Sequence, residues 1–436
     1  MKKNILKFSL LAVGVTLSLG LLSGLKNNPV KANAITTFDG TGTEKDPYLI
    51  KSVSDLSTLA EEVSGGEHFA GKYFKQTCDI GSETGEKVTT SIGSSSSYFS
   101  GSYDGGNHVV WLDINVNCSS NIQNNGFGLF GYVLNDTNYP APYFRNIITK
   151  GSVNVTFSGQ FGCSIAGIVG YTTSNSTSIG FDEERYTKIL NCVNNASIYG
   201  FHTHPGVHGG SSSSIDCGGI LGNGEYVATI NCVNLGHITG IENSTIVPWA
   251  HSYNKLYAGG IVGKMMHFYA IQNCVNLGTL NAEVRIQFCY VGGVAGCLLD
   301  NDPILPFATL DNCYSNYDIN VITGEHESAR DLGVGGIVGM YYNLYVDDKG
   351  NPILDWRSDF EEKIPLDENG NVVVDRKMEE GYIAYAFYGD TSRKDDFLKL
   401  EEMVCRCTTE WVNNDNNFEK MQKYLFERFS NDGTID

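Results

Sequence analysis

An eight-residue unit that occurs four times in the chain limits what this sequence can fold into. The first copy, Asn191–Ile198, begins Asn-Cys-Val-Asn, and later copies begin at Asn231, Asn273 and Asn312, at intervals of 39 to 42 residues. A period of this length is typical of proteins built from stacked copies of one supersecondary unit. Because each unit is stabilised mainly by its neighbours, the chain length does not give a domain count.

A second motif, of the type Gly-Gly-Ile-Val-Gly, alternates with the first. Its enrichment in β-branched residues indicates strands, and each glycine would cost a helix about 1 kcal/mol. The repeats therefore predict an all-β protein, a β-solenoid, with either one coil or two short coils per period. The copies are Gly128–Gly131 (degenerate), Ala166–Gly170, Gly218–Gly222, Gly259–Gly263, Gly292–Gly296 and Gly335–Gly339.

The two motifs together resemble those of the GLUG-repeat proteins of bacterial cell surfaces. The resemblance covers roughly Phe38 to Met340 and implies a right-handed parallel β-helix, with residues 81–340 forming the GLUG-repeat solenoid. It is specific for the fold and says little about function. The N-terminal segments that share in it are Gly40–Thr43, Pro47–Ile50, Phe69–Phe74, Asp79–Ile80 and Phe99–His108.

The first 34 residues have the pattern of a secretory signal peptide. Lys2, Lys3 and Lys7 precede an apolar run from Phe8 to Leu22, and the segment ends on Ala32–Ala34. The run is too short and too rich in glycine for a membrane-spanning helix. We therefore expect a secreted or surface-associated protein that has no membrane segment after cleavage at residue 34.

Residues 35–80 are predicted to cap the N-terminal end of the solenoid. Ser52–Asp55 has the spacing of a helix-capping box, apolar residues follow at helical spacing from Leu56 to Val63, and Gly65–Gly66 ends the pattern. A short amphipathic helix placed there would cover strand edges that are otherwise unpaired.

Residues 341–436 differ from the repeats in being rich in charge. Asp347–Asn351 and Asp367–Asn371 have the composition of hairpin tips. Apolar residues at helical spacing in Phe397–Val404 and Phe418–Phe429 predict two amphipathic helices. This region is therefore predicted to be a small α+β region.

Charge and cysteine content narrow the possible partners and cofactors. The chain carries 49 acidic and 30 basic residues, a net charge of −19, so nucleic acid is excluded as a partner. Cys192, Cys232, Cys274 and Cys313 occupy equivalent repeat positions, which favours a buried ladder of thiols. Disulfides and metal binding are the alternatives.

A metal ion is the one cofactor that the sequence suggests. His202, His204 and His208 lie within seven residues, and an His-x-His pair in an extended chain places both rings on one side. The alternative is a solvated loop, because Gly209–Gly210 and a run of serines follow.

Aromatic residues in the loops provide the main signal for function. Flat amphipathic rings bind sugars and protein partners, although these tyrosines could instead pack on their own coil. The predicted function is therefore adhesin-like binding of an extracellular glycan or of a host or bacterial surface protein. The binding residues proposed on this basis are Tyr98, Tyr103, Trp249, Tyr253, Tyr257 and Tyr290.

Two other functions remain open. An extracellular polysaccharide lyase or glycoside hydrolase would need paired carboxylates, and none recurs with a partner at a suitable spacing among Asp104, Asp113, Asp182, Glu183, Glu184, Asp216 and Asp318. A structural envelope component would need no site at all. Catalysis is the less favoured reading, and no catalytic residue is assigned.

Overall fold

The fold is known from a computed structural model. It describes residues 38–119, 125–158, 162–176, 185–203, 214–244, 255–284, 287–300, 309–311, 313–315, 319–323, 329–346 and 352–354. The predicted signal peptide, the tip at Asp367–Asn371 and both C-terminal amphipathic helices lie outside these residues.

The described residues are mostly β-strands, arranged in sheets of thirteen, nine and six strands. Strand pairs in these sheets are parallel except that of Val338–Val346 with Pro352–Leu354. The thirteen-stranded sheet contains Tyr48–Ile50, Tyr73–Gln76, Ser102–Asp104, Phe130–Asn135, Tyr143–Arg145, Val169–Ser174, Thr187–Leu190, Leu221–Ile230, Val262–Gln272, Ala295–Asp300, Thr309–Asp311, Val338–Val346 and Pro352–Leu354. The nine-stranded sheet contains Val109–Cys118, Ile148–Phe157, Val193–His202, Val233–Asn234, Ile238–Glu242, Val275–Asn276, Leu280–Val284, Tyr314–Ser315 and Ile319–Thr323. The six-stranded sheet contains Asn125–Phe127, Cys163–Ile165, Ser214–Gly218, Lys255–Gly259, Gln287–Gly292 and Ala329–Gly335.

Each repeat enters the three sheets once and in the same order. Val193–His202 belongs to the nine-stranded sheet, Ser214–Gly218 to the six-stranded sheet and Leu221–Ile230 to the thirteen-stranded sheet, and the next copy then begins at Asn231. Equivalent residues pair in register, for example Ile198 with Ile238. One period of about 40 residues therefore passes once through each of the three sheets, and not twice.

The first asparagine of the unit forms a turn in the three copies where it is described, and Asn146 occupies the equivalent position one period earlier. Asn146, Asn191, Asn231 and Asn273 have φ angles of 53 to 56°, a left-handed conformation that asparagine tolerates better than most residues. The Asn231 amide donates to Asn191 Oδ1 and the Asn273 amide to Asn231 Oδ1, both at 3.1 Å. A ladder of side-chain hydrogen bonds thus links successive turns.

The second asparagine of the first three units forms another ladder, which is fully buried. The Asn194 amide donates to Asn234 Oδ1 at 2.8 Å, and the Asn234 amide donates to Asn276 Oδ1 at 2.9 Å. Asn234 also holds its own turn, accepting from the Gly236 N–H and donating to the Gly236 carbonyl. These bonds satisfy polar groups that would otherwise be costly to bury.

The glycine motif and the asparagine motif interlock. A Cβ atom on Gly219 would lie 2.4 Å from Asn234 Cγ, and one on Gly260 would lie 2.2 Å from Asn276 Cγ. The second glycine of the motif is therefore needed because the ladder side chain and the carbonyl oxygen of the next motif copy, Gly260 or Gly293, both occupy the space of a Cβ. The glycine leaves the space that the asparagine side chain of the ladder fills.

The repeat cysteines are buried beside these ladders as thiols. Cys192, Cys232 and Cys274 are 0% exposed, and Cys313 is 3% exposed. None of the ten cysteines among the described residues forms a disulfide. Burial raises the pKa of the Cys232 and Cys274 thiols well above the ordinary value, so these groups stay protonated.

The helix predicted near the N-terminus is confirmed at Val53–Ser64. The Ser52 hydroxyl accepts from the Asp55 N–H at 3.1 Å, which is one half of the predicted capping box. The Asp55 carboxylate accepts from the N–H of Lys51, one residue before Ser52, at 2.8 Å. The apolar face of the helix, from Val53 to Val63, is buried.

The strands on either side of the first predicted hairpin tip pair antiparallel, Val338–Val346 with Pro352–Leu354. The tip itself, Asp347–Asn351, lies outside the described residues. The strand runs through Met340, where the sequence predicts the end of the solenoid.

Candidate functional site

A half-exposed group of aromatic and charged residues lies on the outer face of the thirteen-stranded sheet near its N-terminal end. Three adjacent strands share a pattern in which a buried aromatic residue lies between two outward-facing neighbours. The buried residues are Phe74, Tyr103 and Phe144. The outward neighbours include Tyr73, Asp104, Tyr143 and Arg145, and we call these residues together with Tyr139 the aromatic–arginine patch.

Arg145 is held in place from two sides. Its Nε donates to Asp104 Oδ2 at 2.9 Å, and its guanidinium carbon lies 4.5 Å from the centre of the Tyr143 ring. Asp104 Oδ1 accepts from the Gly106 N–H and from the Asn146 amide. The Asp104 carboxylate is therefore fully engaged in positioning the arginine.

The tyrosines form a platform around Arg145. The Tyr73 and Tyr143 rings are 6.0 Å apart between centroids and inclined by 48°. Tyr139, which is 50% exposed, packs so closely over Gly71 that a Cβ there would lie 2.8 Å from its ring. Partial burial raises the pKa of Tyr143, although Arg145 opposes the shift, and burial likewise raises the pKa of Tyr73. Both hydroxyls are thus neutral hydrogen-bonding groups at neutral pH.

Two lysines flank the patch in the sheet register. Lys75 pairs with Asp104, and Lys188 pairs with Tyr143. Lys75 is exposed and Lys188 is half-buried. The patch therefore has a local excess of cations, in contrast to the net charge of −19.

The described residues among those predicted to bind ligand do not form one site. Tyr98 stacks on His68 with centroids 3.9 Å apart. Tyr103 is 0% exposed and donates to Gln76 Oε1, so it packs in the core. Trp249 and Tyr253 lie outside the described residues.

Tyr257 and Tyr290 are brought together but are buried. They are paired residues of neighbouring strands in the six-stranded sheet, with stacked rings 5.6 Å apart, and they are 2% and 5% exposed. The Lys264 ammonium lies 5.4 Å from the centre of the Tyr257 ring. Burial raises the pKa of Tyr257 well above its ordinary value. These rings pack against each other, and little of their surface reaches solvent.

A buried carboxyl group occupies the preceding position of the same sheet, since Asp216 pairs with Tyr257. Asp216 Oδ2 accepts from the Ser164 hydroxyl at 3.0 Å and from the Asn223 amide at 2.8 Å. Asp216 Oδ1 and Asn223 Oδ1 are buried and have no hydrogen-bond partner. Burial raises the pKa of Asp216, and Lys264 opposes the shift.

His202, the described member of the predicted metal site, is fully buried. Its Nδ1 is 2.5 Å from Glu242 Oε2, and its ring stacks on Phe157. Ser244 donates to Glu242 through both its N–H and its hydroxyl. His204 and His208 lie outside the described residues. Among the residues that are described, no group of three or more His, Cys, Asp or Glu side chains could hold a metal ion.

The carboxylates considered for catalysis are separated where the structure shows them. Asp104 belongs to the thirteen-stranded sheet and is engaged by three donors. Asp113 is exposed on the nine-stranded sheet, and Asp216 is buried in the six-stranded sheet. Asp182, Glu183, Glu184 and Asp318 lie outside the described residues.

Sequence reasoning did not select Tyr73 or Arg145 as site residues. A signal for them exists in the tripeptides Tyr73–Lys75, Ser102–Asp104 and Tyr143–Arg145, in which an aromatic residue separates two outward positions. Only the strand register shows that these tripeptides are neighbours.

Comparisons with known proteins leave the chain without a family. No family model matches it, and no curated protein matches it. One solved structure that resembles it is described as a "putative immunoglobulin A1 protease from Bacteroides ovatus", with 19% sequence identity and a TM-score of 0.39 over 73% of this chain and 95% of that chain. A similarity at that level supports no transfer of fold, substrate or activity.

A search of the same described residues finds no helix that is long and apolar enough to cross a membrane.

Proposed function

We propose that this chain is a secreted, right-handed parallel β-helix of the GLUG-repeat type, and that it binds extracellular glycan through the aromatic–arginine patch. The order of the repeats through three parallel sheets and the in-register ladders support the β-helix. The signal-peptide pattern of residues 1–34 supports secretion.

The observation that carries the binding proposal is the platform formed by Tyr73 and Tyr143. The residues that follow them, Phe74 and Phe144, pair in register with Tyr103 on the strand between. This pairing sets the positions of Tyr73 and Tyr143 on the sheet before any ligand binds. Rigid aromatic surface costs little conformational entropy on binding. Sugar rings present apolar faces to such a surface and hydroxyls to neighbouring polar groups.

The experiment is a glycan array probed with the chain lacking residues 1–34, followed by titration calorimetry with the glycans that bind. Tyr143→Ala should weaken binding at least about tenfold, since tyrosine anchors are often worth more than 1.4 kcal/mol. Tyr199→Ala is the matched control, because this half-exposed tyrosine lies on the nine-stranded sheet. Equal affinities for wild type and Tyr143→Ala would overturn the proposal.

The same samples test the enzymatic alternative. Each bound polysaccharide is incubated with the protein and assayed for new reducing ends and unsaturated products. A binding protein releases neither. Turnover that survives Tyr143→Ala would place the activity outside the patch and contradict the proposed function.

A further inference from the structure

We propose that the patch binds an acidic glycan, whose carboxylate or sulfate group is held by the terminal amino groups of Arg145. This inference rests on the proposed function and names the ligand class of the same site. It follows from the way in which Asp104 and Tyr143 orient the guanidinium.

The Asp104–Arg145 contact uses only one edge of the guanidinium. Asp104 Oδ2 accepts from Nε, whereas the two terminal amino groups form no hydrogen bond with any residue that the structure describes. The Arg145 side chain is 43% exposed, so those amino groups are accessible to a ligand. They form a fork whose geometry matches the two oxygens of a carboxylate or sulfate.

The orientation of the fork is established before the ligand binds. Asp104 is 14% exposed and is itself held by the Gly106 N–H and the Asn146 amide. Stacking on Tyr143 restrains the other side of the guanidinium. A restrained arginine loses less conformational entropy on binding an anion than a free one.

The surrounding charges favour an anion. Lys75 and Lys188 lie at register positions next to Asp104 and Tyr143. Among the described residues, the acidic groups that act on Tyr73 and Tyr143 are Asp104, which pairs with Arg145, and Glu44. The rest of this acidic chain repels an anionic ligand, so binding depends on short-range contact at the patch.

The tyrosines favour a glycan over an acidic peptide. Tyr73 and Tyr143 lie on either side of Ser102 and present two rings inclined by 48°, and Tyr139 covers Gly71, two residues before Tyr73. Such a platform suits the face of a sugar ring, and the charged group of the same sugar can then reach Arg145. A peptide carboxylate would use the arginine without using the platform.

The test measures binding of polygalacturonate, its fully methyl-esterified form, dextran sulfate, dextran and polyglutamate. Polygalacturonate or dextran sulfate should bind at least tenfold more tightly than its neutral counterpart, and the acid that binds identifies the group. Arg145→Gln should remove that preference. Arg145→Lys should restore at most part of it, because lysine has no fork. Lys150→Gln is the control, since Lys150 lies over Trp111 on the nine-stranded sheet and should not change binding.

Failure of this inference differs from failure of the proposed function. If neutral and acidic glycans bind equally, and Tyr143→Ala weakens both, the patch binds glycans but Arg145 does not select charge. If polyglutamate binds as tightly as the acidic glycans, the acidic-glycan inference is wrong. If Tyr143→Ala affects no ligand, the proposed function itself is wrong.

Discussion

Replacing Asp216 with asparagine should make the protein more stable at neutral pH. In the folded chain Asp216 Oδ1 and Asn223 Oδ1 are both buried acceptors without a donor. Leaving such a group unsatisfied costs about 1 to 3 kcal/mol. An asparagine keeps one oxygen for the Ser164 and Asn223 donors and removes the buried negative charge that desolvation disfavours. We expect Asp216→Asn to raise the free energy of unfolding by about 1 to 3 kcal/mol at pH 7.5.

The pH dependence gives the sharper test. Burial raises the pKa of Asp216 in the folded state, and the Lys264 charge together with hydrogen bonds to the carboxyl offsets part of that shift. A carboxyl with a raised folded pKa favours the folded state fully below its unfolded pKa, about 3.9. This contribution is lost as the pH rises through the folded pKa. The stabilising effect of Asp216→Asn should therefore be small near pH 4 and grow toward pH 7.5.

The measurement is urea unfolding of wild type and variant at pH 4, 5.5 and 7.5. The midpoints of the two proteins are compared after checking that the free energy of unfolding falls with urea concentration at the same slope in both. Asp113→Asn is the control, because Asp113 is exposed and its substitution should change stability by less than about 0.5 kcal/mol. The reasoning is refuted if Asp216→Asn destabilises at pH 7.5, or if its effect is the same at all three pH values.

Three further predictions concern the repeat. Asn234→Ala should lower the free energy of unfolding by about 2 to 3 kcal/mol because it breaks a buried hydrogen-bond ladder. The control Asn154→Ala removes a side chain that bonds Asn115 on the outer face and should lower it by less than about 0.5 kcal/mol. Urea unfolding of both variants measures the difference. Gly219→Ala should cost more than about 2 kcal/mol because its Cβ would meet both the Asn234 side chain and the Gly260 carbonyl oxygen. Combining it with Asn234→Ala should cost less than the sum of the two, since the clash with the side chain is then relieved; an additive cycle would contradict the interlock. A thiol reagent should modify Cys78, which is half-buried, before Cys232, which should react only after unfolding; labelling followed by mass spectrometry of peptides gives the order.

The repeat could be predicted from the sequence because its side chains act on their nearest copies. The in-line cysteines predict a buried ladder, and the Ser52–Asp55 spacing predicts a helix, since both signals are local or strictly periodic. The pairing of Gly219 with Asn234 could not be predicted, because it joins two motifs in different sheets through a space that only the folded chain defines.

The residues of the patch were harder to predict, because exposure does not follow from residue type. Tyr103 and Tyr143 both lie in aromatic-rich strands of the same sheet, yet Tyr103 is buried and Tyr143 is half-exposed. A shift of one position along a strand moves a side chain from the core to the surface. Composition alone cannot distinguish the two positions.

The location of the patch follows from which polar side chains the repeats use to hold the fold together. From Asn191 onward, the polar residues that recur at each period are used within the fold, as turns and ladders. Strands before that point match the repeat only loosely, so Asp104, Tyr143 and Arg145 are not needed to join identical copies. A chain of this kind has most freedom to develop a binding surface where its periodicity is weakest, and the aromatic–arginine patch lies in that part of the sheet.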